Sequence, residues 1–197
     1  MTNITWDSAT SSGVTISNND QDLTAGAAYG YAKSDQSWSA PLNGNVVFSF
    51  PSYSSGVVFF GLGTDPLHSG GTAYADIEIR MMIDQSGGIG YVKDGSDNSN
   101  LTTFSISSGV QCKIEIAGNN TVTYHYKNLG DSTWTQAYSH TVSQSGTWYV
   151  HGVPYNATVS ADLTDNSGGG SSGGSSGDST ATAMYEPPIQ IFRRMNF

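Results

Sequence analysis

Residues 111–127 read QCKIEIAGNNTVTYHYK, and this stretch decides the fold. Cys112, Ile114 and Ile116 alternate with Gln111, Lys113 and Glu115; after Gly118-Asn119-Asn120, Val122, Tyr124 and Tyr126 alternate with Thr123, His125 and Lys127. A period of two sends successive side chains to opposite faces of a strand. Gly and Asn supply the positive φ angles of a tight hairpin turn. The stretch therefore predicts an antiparallel hairpin with one apolar and one wet face, at the centre of a two-layer β domain. Cys112 falls on the inward face as a small core residue, and His125 on the solvated one.

Working outward, the same alternation marks further strands. Asn3–Trp6, Val14–Ser17 and Ala28–Lys33, the last carrying Tyr29 and Tyr31 on one face, precede Trp38 and the turn Pro41-Leu42-Asn43-Gly44. Asn45–Phe50 and Val57–Leu62 are apolar almost throughout, as central strands covered on both sides would be. Tyr74–Asp84 reads as one strand with Ile77, Ile79, Met81 and Ile83 on one face and Asp76, Glu78, Arg80 and Met82 on the other. Ile89–Lys93, Leu101–Ile106, Thr133–Ser139, Thr147–Val150 and Ala157–Leu163 complete about a dozen strands, with no helix. Short strands at such regular spacing predict an all-β sandwich or barrel.

The chain has 197 residues, sixteen acidic and seven basic, with a formal charge of −9. That balance repels phosphate backbones and argues against a nucleic-acid partner. No apolar run approaches the ~20 residues of a membrane helix, so no membrane partner is expected. The opening Met-Thr-Asn-Ile-Thr-Trp lacks the basic start and apolar centre of a signal peptide, which leaves a cytosolic chain, one released by lysis or another export route, or one written without its leader. Cys112 is the only cysteine, which excludes an intrachain disulfide.

Composition also divides the chain. Residues 1–166 form the predicted sandwich and carry fourteen acids and five bases. Residues 167–177 contain only Gly and Ser, a flexible coil. Residues 178–197 follow, neutral overall and ending EPPIQIFRRMNF. Pro187 and Pro188 keep this segment extended. Ile189, Ile191, Phe192, Met195 and Phe197 make it too apolar for a merely solvated end, and Ile189 and Ile191 alternate as in a strand that adds to a sheet edge. Arg193 and Arg194 are a basic pair suited to carboxylates. The segment is expected to moor the domain to another protein.

Four pieces in order, VVFFGL, YADIEIRMMI, GGIGYVKDG and QCKIEIAGNNTVTYHYKN, resemble the concanavalin A-like lectin/glucanase superfamily and its SPRY-like branch. They occupy about Val57–Asn128. The resemblance implies a jelly roll of two antiparallel sheets. Domains like it occur in phage virion proteins and bacterial adhesins, where they bind sugars or proteins. It thus implies a non-enzymatic virion protein of decoration or fibre type, present in several copies at the virion surface. Surface glycans are its expected ligands, and capsid proteins, tail proteins or sister copies its expected partners. A free, extracellular carbohydrate-binding or adhesin module is the alternative.

Candidate site residues follow from the chemistry of each class. Glucanases of this superfamily carry a strand motif like E-x-D-x-E, whose outer carboxyls attack and protonate the glycosidic bond. Here Tyr74 stands where the first Glu belongs, with Asp76 and Glu78 after it, so the pair of carboxyls that retaining hydrolysis needs is incomplete. The chain is read as no enzyme, with a glucanase as a third reading. Sugar rings present a C–H face that stacks on aromatics. Trp134, Tyr138, His140, Trp148, His151 and Tyr155 cluster late in the sequence as candidates for that role. Tyr29, Tyr31 and Trp38 form an earlier group. Asp94, Asp97 and Asn98 lie in a loop of oxygen donors of the kind calcium takes, without the closing Glu of an EF-hand. No other cofactor is expected, and the four histidines lack paired zinc spacing.

Overall fold

The computed structural model describes residues 2–19, 21–50, 56–64, 73–95, 99–107 and 109–165. The Gly/Ser run, the mooring segment, the loop around His68, and Asp97 and Asn98 all lie outside the described residues. Among the described residues, thirteen strands form two antiparallel layers. They are β1 (Thr2–Asn3), β2 (Val14–Ser17), β3 (Asp22–Tyr29), β4 (Ala32–Ser39), β5 (Gly44–Phe50), β6 (Val57–Gly63), β7 (Ile79–Asp84), β8 (Ile89–Asp94), β9 (Asn100–Ser105), β10 (Val110–Ile116), β11 (Thr121–Asn128), β12 (Thr135–Thr141) and β13 (Thr147–Asp165).

The hairpin is as its alternation predicts. β10 and β11 pair from Val110↔Asn128 to Ile116↔Val122. The turn closes with the Asn120 amide donating to the Ala117 carbonyl at 3.0 Å, and Asn120 holds φ 67°. Cys112, Ile114, Val122 and Tyr124 are fully buried. His125 departs from expectation. Its side chain is only 16% exposed, because Glu115, Lys113 and the β12 strand crowd it.

β13 organises the whole. Its first half lies between β4 and β6; its second half lies between β3 and β5. One layer therefore runs β4-β13-β6-β7-β8-β9 and the other β12-β11-β10-β5-β13-β3-β2. Alternation alone divides this element in two, at Thr147–Val150 and Ala157–Leu163. Pro154 and Asn156 explain the break. A proline removes a ladder donor and is tolerated at irregularities, and here the register shifts between Tyr155 and Ala157, with Asn156 at φ 49°. The strand bends there and changes layer instead of ending.

Between the layers lies the main core. It holds Trp6, Phe48, Phe50, Phe60, Met81, Ile83, Ile114, Tyr124, Trp148 and Val150. β9 and β12 meet at the open side, where Phe104 stacks on Tyr126 at 4.3 Å between centroids.

Three further readings are corrected. Ala28–Lys33 is not one strand: β3 ends at Tyr29 and β4 begins at Ala32, with Gly30 pressed against Gly13 where a Cβ would lie 2.4 Å from the carbonyl oxygen. Tyr74–Asp84 is not one strand either. Ala73–Asp76 is a 3-10 turn, and the strand starts at Ile79. Asp76 and Glu78 therefore share no strand face. The run Asn45–Phe50 is covered on one face only, whereas Val57–Gly63 is buried on both, as expected.

Candidate functional site

What covers the outer face of β6 is the chain from Tyr74 to Glu78. It crosses so closely that only glycine fits beneath. A Cβ on Gly61 would lie 1.9 Å from the Ile79 carbonyl oxygen, and one on Gly63 would lie 2.3 Å from that of Asp76. Ile77, Phe59 and Val153 pack into a second, smaller core there, with Tyr31, Val57, Tyr74 and Met82 around them.

Along this face runs a row of rings. Tyr155 and Tyr29 lie 5.0 Å apart between centroids, Tyr29 and Phe59 6.4 Å, and Phe59 and Tyr74 4.7 Å in a stacked pair. The bend of β13 makes the row: Tyr155 pairs with Tyr29 of β3 on one side and with Val57 of β6 on the other. Tyr29 is 47% exposed, high for so large an apolar side chain. Burial pushes its phenol above the ordinary value, and the nearby Tyr74, Tyr155 and Asp84 add to the rise. Across the sheet Tyr29, Tyr155, Val57 and Asp84 stand in one row of paired residues, and the Tyr29 hydroxyl stays protonated as a donor. The Asp84 carboxylate accepts from Ser86 Oγ at 2.6 Å and from the Gly87 amide at 3.1 Å, both through Oδ1.

Cations frame the row. Arg80, fully buried, lies 5.8 Å from the Tyr74 ring and donates to the Tyr74 carbonyl. Lys33 lies 4.8 Å from the Tyr149 ring and pairs with Asp7 at 3.0 Å, and Lys93 lies 5.4 Å from the Tyr91 ring. Burial, and then the charge of Arg80, lower the Lys93 ammonium below its usual range. All five Lys and Arg of residues 1–166 sit over aromatic rings, since Lys113 and Lys127 share Trp134 at 5.4 and 4.9 Å.

The late aromatic cluster does not form one site. Tyr155 joins the row, and His151 is fully buried on the same face, 3.4 Å from the Gly63 carbonyl. Trp148 lies in the main core at 2% exposure. Trp134, Tyr138 and His140 belong to the far edge, around β12. There His140 Nε2 meets the Tyr124 hydroxyl at 3.0 Å, and Tyr138 packs on the core. Phe59, Tyr74 and Asp84 were not singled out for sugar binding from sequence. The one signal for Phe59 was that it alternates with core residues in a run apolar on both faces.

Glu78 is engaged structurally: its carboxylate accepts from the Thr64 amide at 2.8 Å and from the Thr64 hydroxyl. Among the described residues no group of three or more His, Cys, Asp or Glu is placed to hold a metal. Of the calcium donors, Asp94 ends β8, and the other two lie outside the described residues.

No family model and no curated protein matches the sequence. Solved structures do match. The carbohydrate recognition domain of Emp47p superposes with a TM-score of 0.54 at 10% identity, over 81% of this chain and 88% of that one. The exoplasmic/lumenal domain of VIP36, in its form bound to Ca2+ and Man3GlcNAc, gives 0.53 at 9%, over 79% and 84%. The PSpry domain of TRIM65 gives 0.53 at 11%, over 83% and 90%. The fold is the concanavalin A-like sandwich. The resemblance read from Val57–Asn128 holds at that level, spanning both the lectin and SPRY branches.

Proposed function

We propose that this chain is a non-enzymatic, glycan-binding module displayed on a virion surface. The row Tyr155, Tyr29, Phe59 and Tyr74 is the observation that carries the reading. Tyrosines offer an apolar ring and one polar atom, which suits the C–H face and the hydroxyl rim of a sugar at once. A pyranose laid on Tyr29 and Tyr155 would meet the Tyr29 hydroxyl as a donor and the Asp84 carboxylate as an acceptor. Little rearrangement is needed, since β strands and a packed turn hold the rings. The sugar-bound forms among the similar structures support a saccharide ligand by analogy of fold. Against catalysis stand Tyr74, in the place of a nucleophilic Glu, and Glu78, tied to Thr64. The Gly/Ser run and the apolar, twice-cationic end support tethering, with a capsid protein, tail protein or sister copies as the receiver of residues 178–197.

A glycan array probed with the whole chain, and with a Tyr29→Ala/Tyr155→Ala variant, tests the sugar reading. Binding to a defined set of glycans that the variant loses is expected. Each stacked ring contributes ~0.5–1.5 kcal/mol beyond its buried area, so the double variant should weaken binding at least ~5-fold. Equal binding by both proteins would place the site elsewhere, and no binding to any glycan would remove the reading.

A further inference from the structure

Four residues, Val14-Thr15-Ile16-Ser17, form the outer strand of the second layer. Among the described residues β2 pairs with β3 alone, from Val14↔Ala25 to Ser17↔Asp22. Exposed edges are usually guarded by a charge, a proline or a bulge, because unpaired backbone groups recruit other strands. This strand has none of these. Val14 and Ile16 are half-buried against the rim of the main core, while Thr15 and Ser17 are exposed. The other edges differ. Residues 5–7 run along β4, where the Asp7 amide donates to the Lys33 carbonyl and the Asp35 amide to that of Thr5, each at 2.9 Å. β9 and β12 lie against each other. An added strand that extends the core beyond β2 must be apolar at alternate positions.

The sequence outside the described residues contains a segment of that pattern, Ile189-Gln190-Ile191-Phe192, preceded by two prolines, whose fixed φ disfavours a helix. Its reach fits. Ser160 of β13 lies in the row of Asp22 and Ser17, and β13 continues five residues past it to Asp165. At ~3.3 Å per residue that is ~17 Å along the strands, and three strand spacings of ~4.8 Å make ~14 Å across. The end of β13 is thus ~22 Å from a strand added beside β2. Residues 166–188, taken as a Gly/Ser-type coil, have an r.m.s. span of ~26 Å. Local concentration is highest when the r.m.s. length of a linker matches the span it must cover.

We propose that in the free chain residues 189–192 dock on this chain's own β2 edge as an added strand. Ile189 and Ile191 extend the inner face beside Val14 and Ile16, and Gln190 points outward beside Thr15. The pairing shields the β2 edge, unguarded among the described residues, and stores the mooring peptide on the domain until a receiver competes for it. Only this last role rests on the mooring reading.

The test is a full-length Thr15→Cys/Gln190→Cys variant, oxidised under non-denaturing conditions across a hundredfold range of protein concentration. An intrachain disulfide is expected, formed at a rate independent of concentration. A Thr103→Cys/Gln190→Cys variant, with its first cysteine on β9 in the other layer, should crosslink at least tenfold more slowly. Amide hydrogen exchange of the unmodified chain should be slowed at least tenfold over residues 189–192. Ile189→Asp/Ile191→Asp should abolish that protection. Disulfides formed mainly between two chains, equal crosslinking of the two variants, or unprotected amides would each overturn the proposal. None of these readouts involves sugar, so failure here is distinct from failure of the glycan reading.

Discussion

Replacing Gly63 with alanine should damage both the stability of the domain and its ring row, and the structure sets the scale. The new Cβ would lie 2.3 Å from the Asp76 carbonyl oxygen, 2.8 Å from Glu78 Oε2 and 3.1 Å from His151 Nε2. Ordinary van der Waals contact begins at 3.4 Å, so the Asp76 backbone must retreat by about 1 Å. The Glu78 carboxylate can swing aside only by giving up Thr64. His151 is fully buried and cannot give way easily. Overpacking of this kind costs ~1–3 kcal/mol, and in a domain of this size each kcal/mol lowers Tm by ~2–4 °C. A fall in Tm of ~2–12 °C is expected. Because the retreating turn carries Tyr74, the Phe59–Tyr74 stack should open, the near-ultraviolet circular dichroism of tyrosine should change, and glycan affinity should fall with it. Gly26→Ala is the control: nothing lies within 4 Å of its Cβ, so its Tm should hold or rise slightly. Calorimetry of the two variants decides. Equal melting temperatures would show that the Tyr74–Glu78 crossing does not press on β6, and the account of the row's rigidity would fail.

Three other outcomes follow from charge and burial. Cys112 is fully buried, and burial alone pushes its thiol far above the ordinary range. Maleimide labelling of the native chain should therefore proceed only at the rate of unfolding, and prompt labelling would contradict the core placement. His125 titrates below its ordinary value of 6.5, chiefly through burial and then through Lys113, with Glu115 opposing. The unfolded chain takes up that proton first, so stability should decline as pH falls below about 6.5 and level off once the folded histidine is also charged. His125→Gln should flatten that segment of a denaturant-midpoint profile, and an unchanged slope would place the titration elsewhere. Asp7 is the reverse case: burial works against its carboxylate, but hydrogen bonds from Lys33, Thr10 and the Ala9 amide prevail and hold it below the ordinary value. Its stabilisation is present above pH ~4 and is lost as pH falls further. Asp7→Asn should remove that acid limb and lower stability at pH 7 by under ~1 kcal/mol, since the pair with Lys33 is partly open to solvent.

Where polar and apolar residues alternate along a whole hairpin, the sequence was enough. The alternation of residues 111–127 yields the hairpin of β10 and β11, the burial of Cys112 and the two-layer architecture. It fails where a turn or a bend interrupts the pattern. Ile77 and Ile79 alternate as though on one face, yet Ile77 enters the small outer core and Ile79 the main one, because Ile77 belongs to the crossing that follows the 3-10 turn and the strand begins only at Ile79. Phe59 is hidden for a related reason: in Val57-Val58-Phe59-Phe60 no polar residue marks which side faces out. Tyr29 and Tyr155 stand 126 positions apart, and only the bend of β13 at Pro154 and Asn156 places them together. Nothing local encodes that bend beyond a proline and an asparagine, which read more naturally as the end of a strand. Trp148 shows the opposite error. Tyr149 and His151 turn to the outer face, where His151 is itself covered, and the same alternation turns Trp148 into the main core.

The most direct test of the central claim is a nuclear magnetic resonance titration of the whole chain with a glycan selected on the array. The account predicts saturable shifts at Tyr29, Phe59, Tyr74 and Tyr155, with ring-proton contacts at Tyr29 and Tyr155, and with Trp134, Tyr138 and His140 unmoved. Shifts confined to those last three residues, with the row silent, would contradict it.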